Sequence, residues 1–184
     1  MDLFALVDPA HRLRDLRAFL PNLCRDELSS ATVAVFTAWS PEADAFVAEG
    51  GRAILLQAGL GSAGPVPIVE VPFWREAIKL IESHPAWGDF PHDDSPGLQF
   101  YGCSTDAALD ASSFGERASP IFRRLDARTM ALHDYAVELQ WGAGWLIVTT
   151  LRFEGGMGDH PLGITRNTAA TYLLACWLRY LQQQ

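Results

Sequence analysis

Apolar runs without clean alternation, set apart by stretches of helical spacing, fill the first third of this chain. Leu3–Val7 (LFALV) closes at Asp8-Pro9 and predicts a buried strand. Leu13, Leu16, Phe19 and Leu20 then recur at helical spacing across Ala10–Leu20, and Pro21 stops that helix. Thr32–Thr37 (TVAVFT) is rich in β-branched residues and predicts the next strand. Ser40-Pro41-Glu42 reads as a helix start, with a hydroxyl cap and proline in the first turn. That helix carries Ala45, Phe46 and Val47 and ends at Gly50-Gly51, where positive φ is easiest for glycine. Arg52–Gln57 (RAILLQ) is another apolar strand. Strands apolar throughout, alternating with amphipathic helices, predict a parallel sheet covered on both faces and joined by right-handed crossovers.

The pattern then changes. Ala58–Pro67 is a Gly/Pro loop, Ile68–Val71 a short strand, and Phe73–Glu82 (FWREAIKLIE) is helix-compatible, its first part readable as loop. The next forty or so residues are rich in turn formers. Order returns with strands at Ile121–Asp126, Ala136–Trp141 and Trp145–Phe153, the last two joined as a tight hairpin at Gly142-Ala143-Gly144. Asn167–Leu181 closes the chain as a helix, with Ala170, Leu173, Leu174, Trp177, Leu178 and Leu181 facing the core.

Length makes this one domain, 1–184, long enough to bury a real core. The charge balance is acidic, 22 Asp plus Glu against 14 Lys plus Arg for a formal −8, which speaks against nucleic acid. Arg117, Arg123, Arg124 and Arg128 cluster, but they alternate with apolar and acidic residues and fit the exposed edge of a strand. Cys24, Cys103 and Cys176 are far apart, so neither a disulfide framework nor a zinc site is expected, and Cys176 reads as core. No leader pattern opens the chain and no run is long and apolar enough to span a bilayer. The expectation is a soluble, cytoplasmic domain with no membrane partner.

Three chemistries can be weighed on these residues. The corner Gln57-Ala58-Gly59-Leu60-Gly61-Ser62 lies where doubly wound folds bind ligands, yet it offers only Gly-x-Gly and no helix directly behind it. No Gly-x-Ser-x-Gly elbow occurs, and a cysteine nucleophile would have to be Cys103, paired with His84, His92 or His133. His92-Asp93-Asp94 and Asp159-His160 match no zinc or calcium spacing, so neither metal nor cofactor is expected. The stretch His84–Asp94 with Leu98–Tyr101 is instead dense in side chains that recognise sugars. Trp87, Phe90 and Phe100 read as rings anchoring that loop in the core. Trp39 and Trp74, each just after a strand or its expected end, with His92, Asp93 and Gln99, are the candidate ligand contacts at the strand rim.

Taken in order, LFALVDP, TVAVFT, GGRAILLQAG, PFWRE, HPAWGDFPH, LQFYG, RRLDAR and VELQWGAGWLIVTTLRF carry a resemblance. The chain resembles the C-terminal accessory domain that follows the catalytic barrel in glycoside hydrolase family 2 proteins, the β-galactosidase and β-glucuronidase-like group. That resemblance implies a class I glutamine amidotransferase-like fold: a three-layer α/β/α, flavodoxin-like sandwich, with a mostly parallel sheet and a C-terminal antiparallel hairpin. It also implies a partner, either the catalytic barrel of a parent glycosidase or a second copy of the chain, with carbohydrate as the candidate ligand. Two departures matter. An active amidotransferase has a cysteine nucleophile after the strand matching RAILLQ, and Gln57-Ala58-Gly59 stands there instead. The family 2 barrel, with its two catalytic glutamates, is not in these residues. The expectation is a non-catalytic accessory domain. The alternatives are a sugar-binding domain at the rim and a Cys103-dependent hydrolase relative.

Overall fold

The computed structural model describes residues 28–57, 64–71, 77–154 and 163–184, together with the backbone of 3–6. Among the described residues nine strands form one sheet: β1 (Leu3–Leu6), β2 (Val33–Phe36), β3 (Arg52–Leu56), β4 (Ile68–Glu70), β5 (Ile78–Ile81), β6 (Ala107–Leu109), β7 (Ala118–Leu125), β8 (Leu132–Trp141) and β9 (Gly144–Thr149). Among the described residues the α-helices are α1 (Pro41–Ala48) and α2 (Thr168–Gln183). The helix expected over Ala10–Leu20 lies outside the described residues, and no described helix is long and apolar enough to cross a membrane.

Strands β1, β2, β3 and β9 run parallel in that spatial order. Beyond β9 every pairing is antiparallel: β8 with β9, β7 and β6, then β7 with β5 and β6 with β4. The expectation of a mostly parallel sheet is therefore corrected: this is an α/β fold with a mixed, curled sheet and few helices. The reason is local. Successive strands β7, β8 and β9 are joined by short turns, and short turns make antiparallel neighbours, whereas parallel pairs need a long crossover. Bulges in β7 around Phe122 add curvature where β8 collects neighbours on both edges.

The strand expected at Ile68–Val71 is β4, and the expected C-terminal strands are β7, β8 and β9. The helix-compatible reading of Phe73–Glu82 is corrected at its second half. Ile78–Ile81 is an antiparallel strand pairing Ile78 with Leu125 and Ile81 with Phe122, and residues 72–76 lie outside the described set. Because β5 pairs with Phe122–Leu125, Arg123 and Arg124 are not on a strand edge, while Arg117 and Arg128 lie outside β7 and are exposed. Arg124 is completely buried, its guanidinium bonded to the Val71 carbonyl and, at 3.2 Å, to Asp126.

Both faces of β2, β3 and β9 are buried, as their unbroken apolar character requires. Val33, Val35, Ile54 and Ile147 face α2 with Leu173, Leu174, Trp177 and Leu181. Ala34, Phe36, Leu55, Leu146 and Val148 face α1 with Ala43 and Val47. Ser40 caps α1 by accepting the Ala43 N–H at 3.2 Å, and Asn167 caps α2 by accepting the Ala170 N–H at 3.3 Å.

Candidate functional site

The carboxyl ends of β3 and β9 lie side by side, and there a doubly wound sheet concentrates chemistry. Gln57 follows β3 and is buried, its backbone N–H donating to the Thr149 carbonyl at 2.8 Å. Its amide packs so closely on Gly64 that a Cβ there would collide with it. The Gly-x-Gly pair at Gly59 and Gly61 lies outside the described residues.

Past the end of β9 the chain meets Cys103. Its carbonyl accepts the Arg152 N–H at 2.8 Å, and its thiol is buried against Asn167, whose Nδ2 lies 3.4 Å from Sγ. The same Asn167 amide donates to the Phe153 carbonyl at 3.2 Å while Oδ1 caps α2, so one side chain ties the thiol, the strand exit and the helix start together. Burial pushes the Cys103 pKa up to about 11, the Asn167 bond opposing and the nearby Glu154 carboxylate reinforcing the rise. A thiol held this way is protonated at neutral pH and is a poor nucleophile. Among the described residues it hydrogen-bonds to Asn167 and not to an imidazole.

His84 lies elsewhere, in a second polar cluster absent from the sequence reading. Its Nδ1 accepts the Ala86 N–H at 3.1 Å, leaving Nε2 to face Glu138 Oε2 at 3.3 Å. The Tyr180 hydroxyl donates to that same oxygen at 3.0 Å, and its pKa is raised by burial and by the carboxylate. Glu138 and Tyr180 sit in an apolar strand and an apolar helix. The one available signal was an acidic residue at a core position of AVELQW.

Among the described residues, the expected ligand contacts Trp39 and His92 stand on different sides of the sheet. Trp39 leans edge-on against Trp141 at 5.9 Å between centroids, on the α1 side of the sheet, and the Trp141 Nε1–H donates to Asp44 at 2.9 Å. His92 is on the α2 side, 5.3 Å from the Trp87 ring, with Nδ1 accepting the Asp94 N–H at 3.3 Å. Asp93 and Gln99 are exposed, and Trp74 and the Asp159-His160 turn lie outside the described residues. Trp87, Phe90 and Phe100 are buried anchors as the loop reading expects; Trp87 also donates to the Glu82 carbonyl at 3.1 Å. No three potential metal ligands converge among the described residues.

No family model matches this chain, and no curated protein matches it. Solved structures do. The chain is 11% identical to a β-galactosidase from Rahnella sp. R3, covering 83% of this chain and 23% of that one at a TM-score of 0.47. It is 11% identical to a β-galactosidase from Bacillus circulans sp. alkalophilus, covering 86% and 23% at 0.46. It is 14% identical to a cytoplasmic protein from Salmonella typhimurium LT2, covering 98% and 71% at 0.48. The chain thus spans about a quarter of the length of the two β-galactosidases.

Proposed function

We propose that this chain is a non-catalytic accessory domain of a carbohydrate-processing protein, of the kind that follows the barrel in glycoside hydrolase family 2. Its role is to shape the assembly or the substrate cleft. The observation that carries this reading is the state of the Cys103 thiol near the strand ends. Cys103 is protonated, buried and locked to the capping Asn167, while Gln57 occupies the corner where a nucleophile would stand. The motifs HPAWGDFPH, LQFYG and GAGWLIVTTLRF supply the link to carbohydrate enzymes.

The test has two arms. The chain alone is assayed on aryl β-galactosides and β-glucuronides, and no turnover is expected. It is then mixed with a family 2 barrel lacking its own C-terminal module, and analytical ultracentrifugation is expected to show a complex. Turnover abolished by Glu154→Gln or Asp134→Asn would overturn the non-catalytic role. A chain that neither joins the barrel nor self-associates would remove the assembly role.

A further inference from the structure

Pro85, Gly88 and Asp89, from the stretch starting at His84, line a cleft. Asp89 stands on one wall of a space of about 410 Å³, and the other wall is the C-terminal half of α2, with Cys176, Arg179, Tyr180, Gln183 and Gln184. That volume lies at the lower end of the range for small-molecule pockets, about 300–1,000 Å³, and suits one compact ligand.

The lining selects the chemistry. Asp89 offers a carboxylate that only accepts hydrogen bonds, Arg179 a guanidinium that only donates, and the two glutamines amides that do both. Burial raises the pKa of the Cys176 thiol in the cleft wall and the Arg179 guanidinium lowers it, while Asp89 acts both ways, its backbone N–H lowering the value and its carboxylate raising it, so both residues border the same space. A phosphate meets the Asp89 charge, and an amine meets Arg179. A neutral polyol donates and accepts at each oxygen and satisfies all three kinds of group.

The back of the cleft is held firm. The Tyr180 hydroxyl in the wall donates to Glu138 Oε2 beside His84 Nε2. The other oxygen of Glu138 is buried with no partner among the described residues. A wall tyrosine fixed from behind loses little freedom when a ligand arrives.

We propose that this cleft binds a single neutral sugar unit between Asp89 and Arg179. The choice of ligand rests on the carbohydrate reading above; failure here leaves the non-catalytic role of the domain standing, since that is tested by turnover and assembly.

The experiment is a titration of the full chain with D-galactose, D-glucose and methyl β-D-galactoside, followed in amide proton–nitrogen spectra, with inorganic phosphate and methylammonium as charged probes. Millimolar sugar is expected to move the amides of Gly88, Asp89 and Arg179 and to leave Trp39 unmoved. Arg179→Ala and Asp89→Asn, both at exposed positions, are each expected to weaken binding about tenfold without disturbing other resonances. No shift at about 50 mM of any sugar, a weak regime already near the limit of specific binding, overturns the proposal. So do shifts confined to Trp39 or His92, affinity untouched by both substitutions, or tighter binding of phosphate or methylammonium at the same amides.

Discussion

The Tyr180 hydroxyl donates to Glu138 Oε2 at 3.0 Å, tying the last turns of α2 to the middle of β8. Glu138 is buried, so its carboxylate depends on these donors. Tyr180→Phe leaves the carboxylate one donor short, and we expect a loss of about 1–3 kcal/mol, read as a lower urea midpoint. Removing the charge as well, in Tyr180→Phe with Glu138→Leu, is expected to return part of that loss. Additive losses from the two changes would show that the pair is not coupled.

The turn of the β8–β9 hairpin is fastened to the end of α1 through backbone hydrogen bonds, beside the Trp141–Asp44 side-chain bond. Gly142, at φ +60°, makes the two-residue turn, the Ala143 N–H donates to the Ala48 carbonyl at 2.9 Å, and the Trp145 N–H donates to the Gly51 carbonyl at 3.2 Å. A Cβ on Gly144 would collide with the carbonyl oxygens of Val47 and Gly51, neither of which can swing aside. Gly144→Ala is therefore expected to cost about 2–3 kcal/mol in chemical denaturation. A variant as stable as the parent would mean that α1 does not dock on the hairpin as described.

How much of this was legible in the sequence depends on how local the cause was. Ser40, Asn167 and the Gly142 turn act within a few residues, and the elements they start or join stand where the pattern puts them. Ile78–Ile81 was misread because four apolar-rich residues fit either period; the pairing with Phe122–Leu125 decides it, and that partner is forty residues away. Arg124 was placed at an edge for the same reason, since β5 was not seen as a strand covering β7. The placement of the candidate ligand contacts also depends on distant partners. Trp39 and His92 are both near strand ends or loops in sequence, and only the alternation of faces along β2, β3 and β9 shows that they stand on opposite sides of the sheet.

Cys103 gives a direct chemical check. With its pKa pushed up to about 11, about one thiol in ten thousand is ionised at pH 7. Alkylation by iodoacetamide is expected to run about a hundredfold or more below a free model thiol, and to recover when urea unfolds the chain. Peptide mass spectrometry separates Cys103 from Cys24 and Cys176. A rate at or above that of the model thiol in the folded protein would restore the cysteine-dependent reading.

Asp134 supplies the pH dependence with a definite sign. Burial raises its pKa, and Arg123, whose Nε–H donates to Oδ1 at 3.0 Å, offsets only part of the rise; His133 also lowers it and Glu82 raises it. Between the ordinary carboxylate value and the raised folded value, the folded chain holds a proton that the unfolded chain releases. Stability from this group therefore falls as pH climbs through that window and is level above it. Asp110 and Asp126, held below the ordinary range by hydrogen bonds to their carboxylates, push the other way, so the total profile hides the effect. The difference between the parent chain and Asp134→Asn isolates it. Urea midpoints from about pH 3 to about pH 7 are expected to show the parent losing ground to the variant as pH rises. A parent that gains on the variant would mean that the Arg123 pair outweighs desolvation and that Asp134 is ionised throughout.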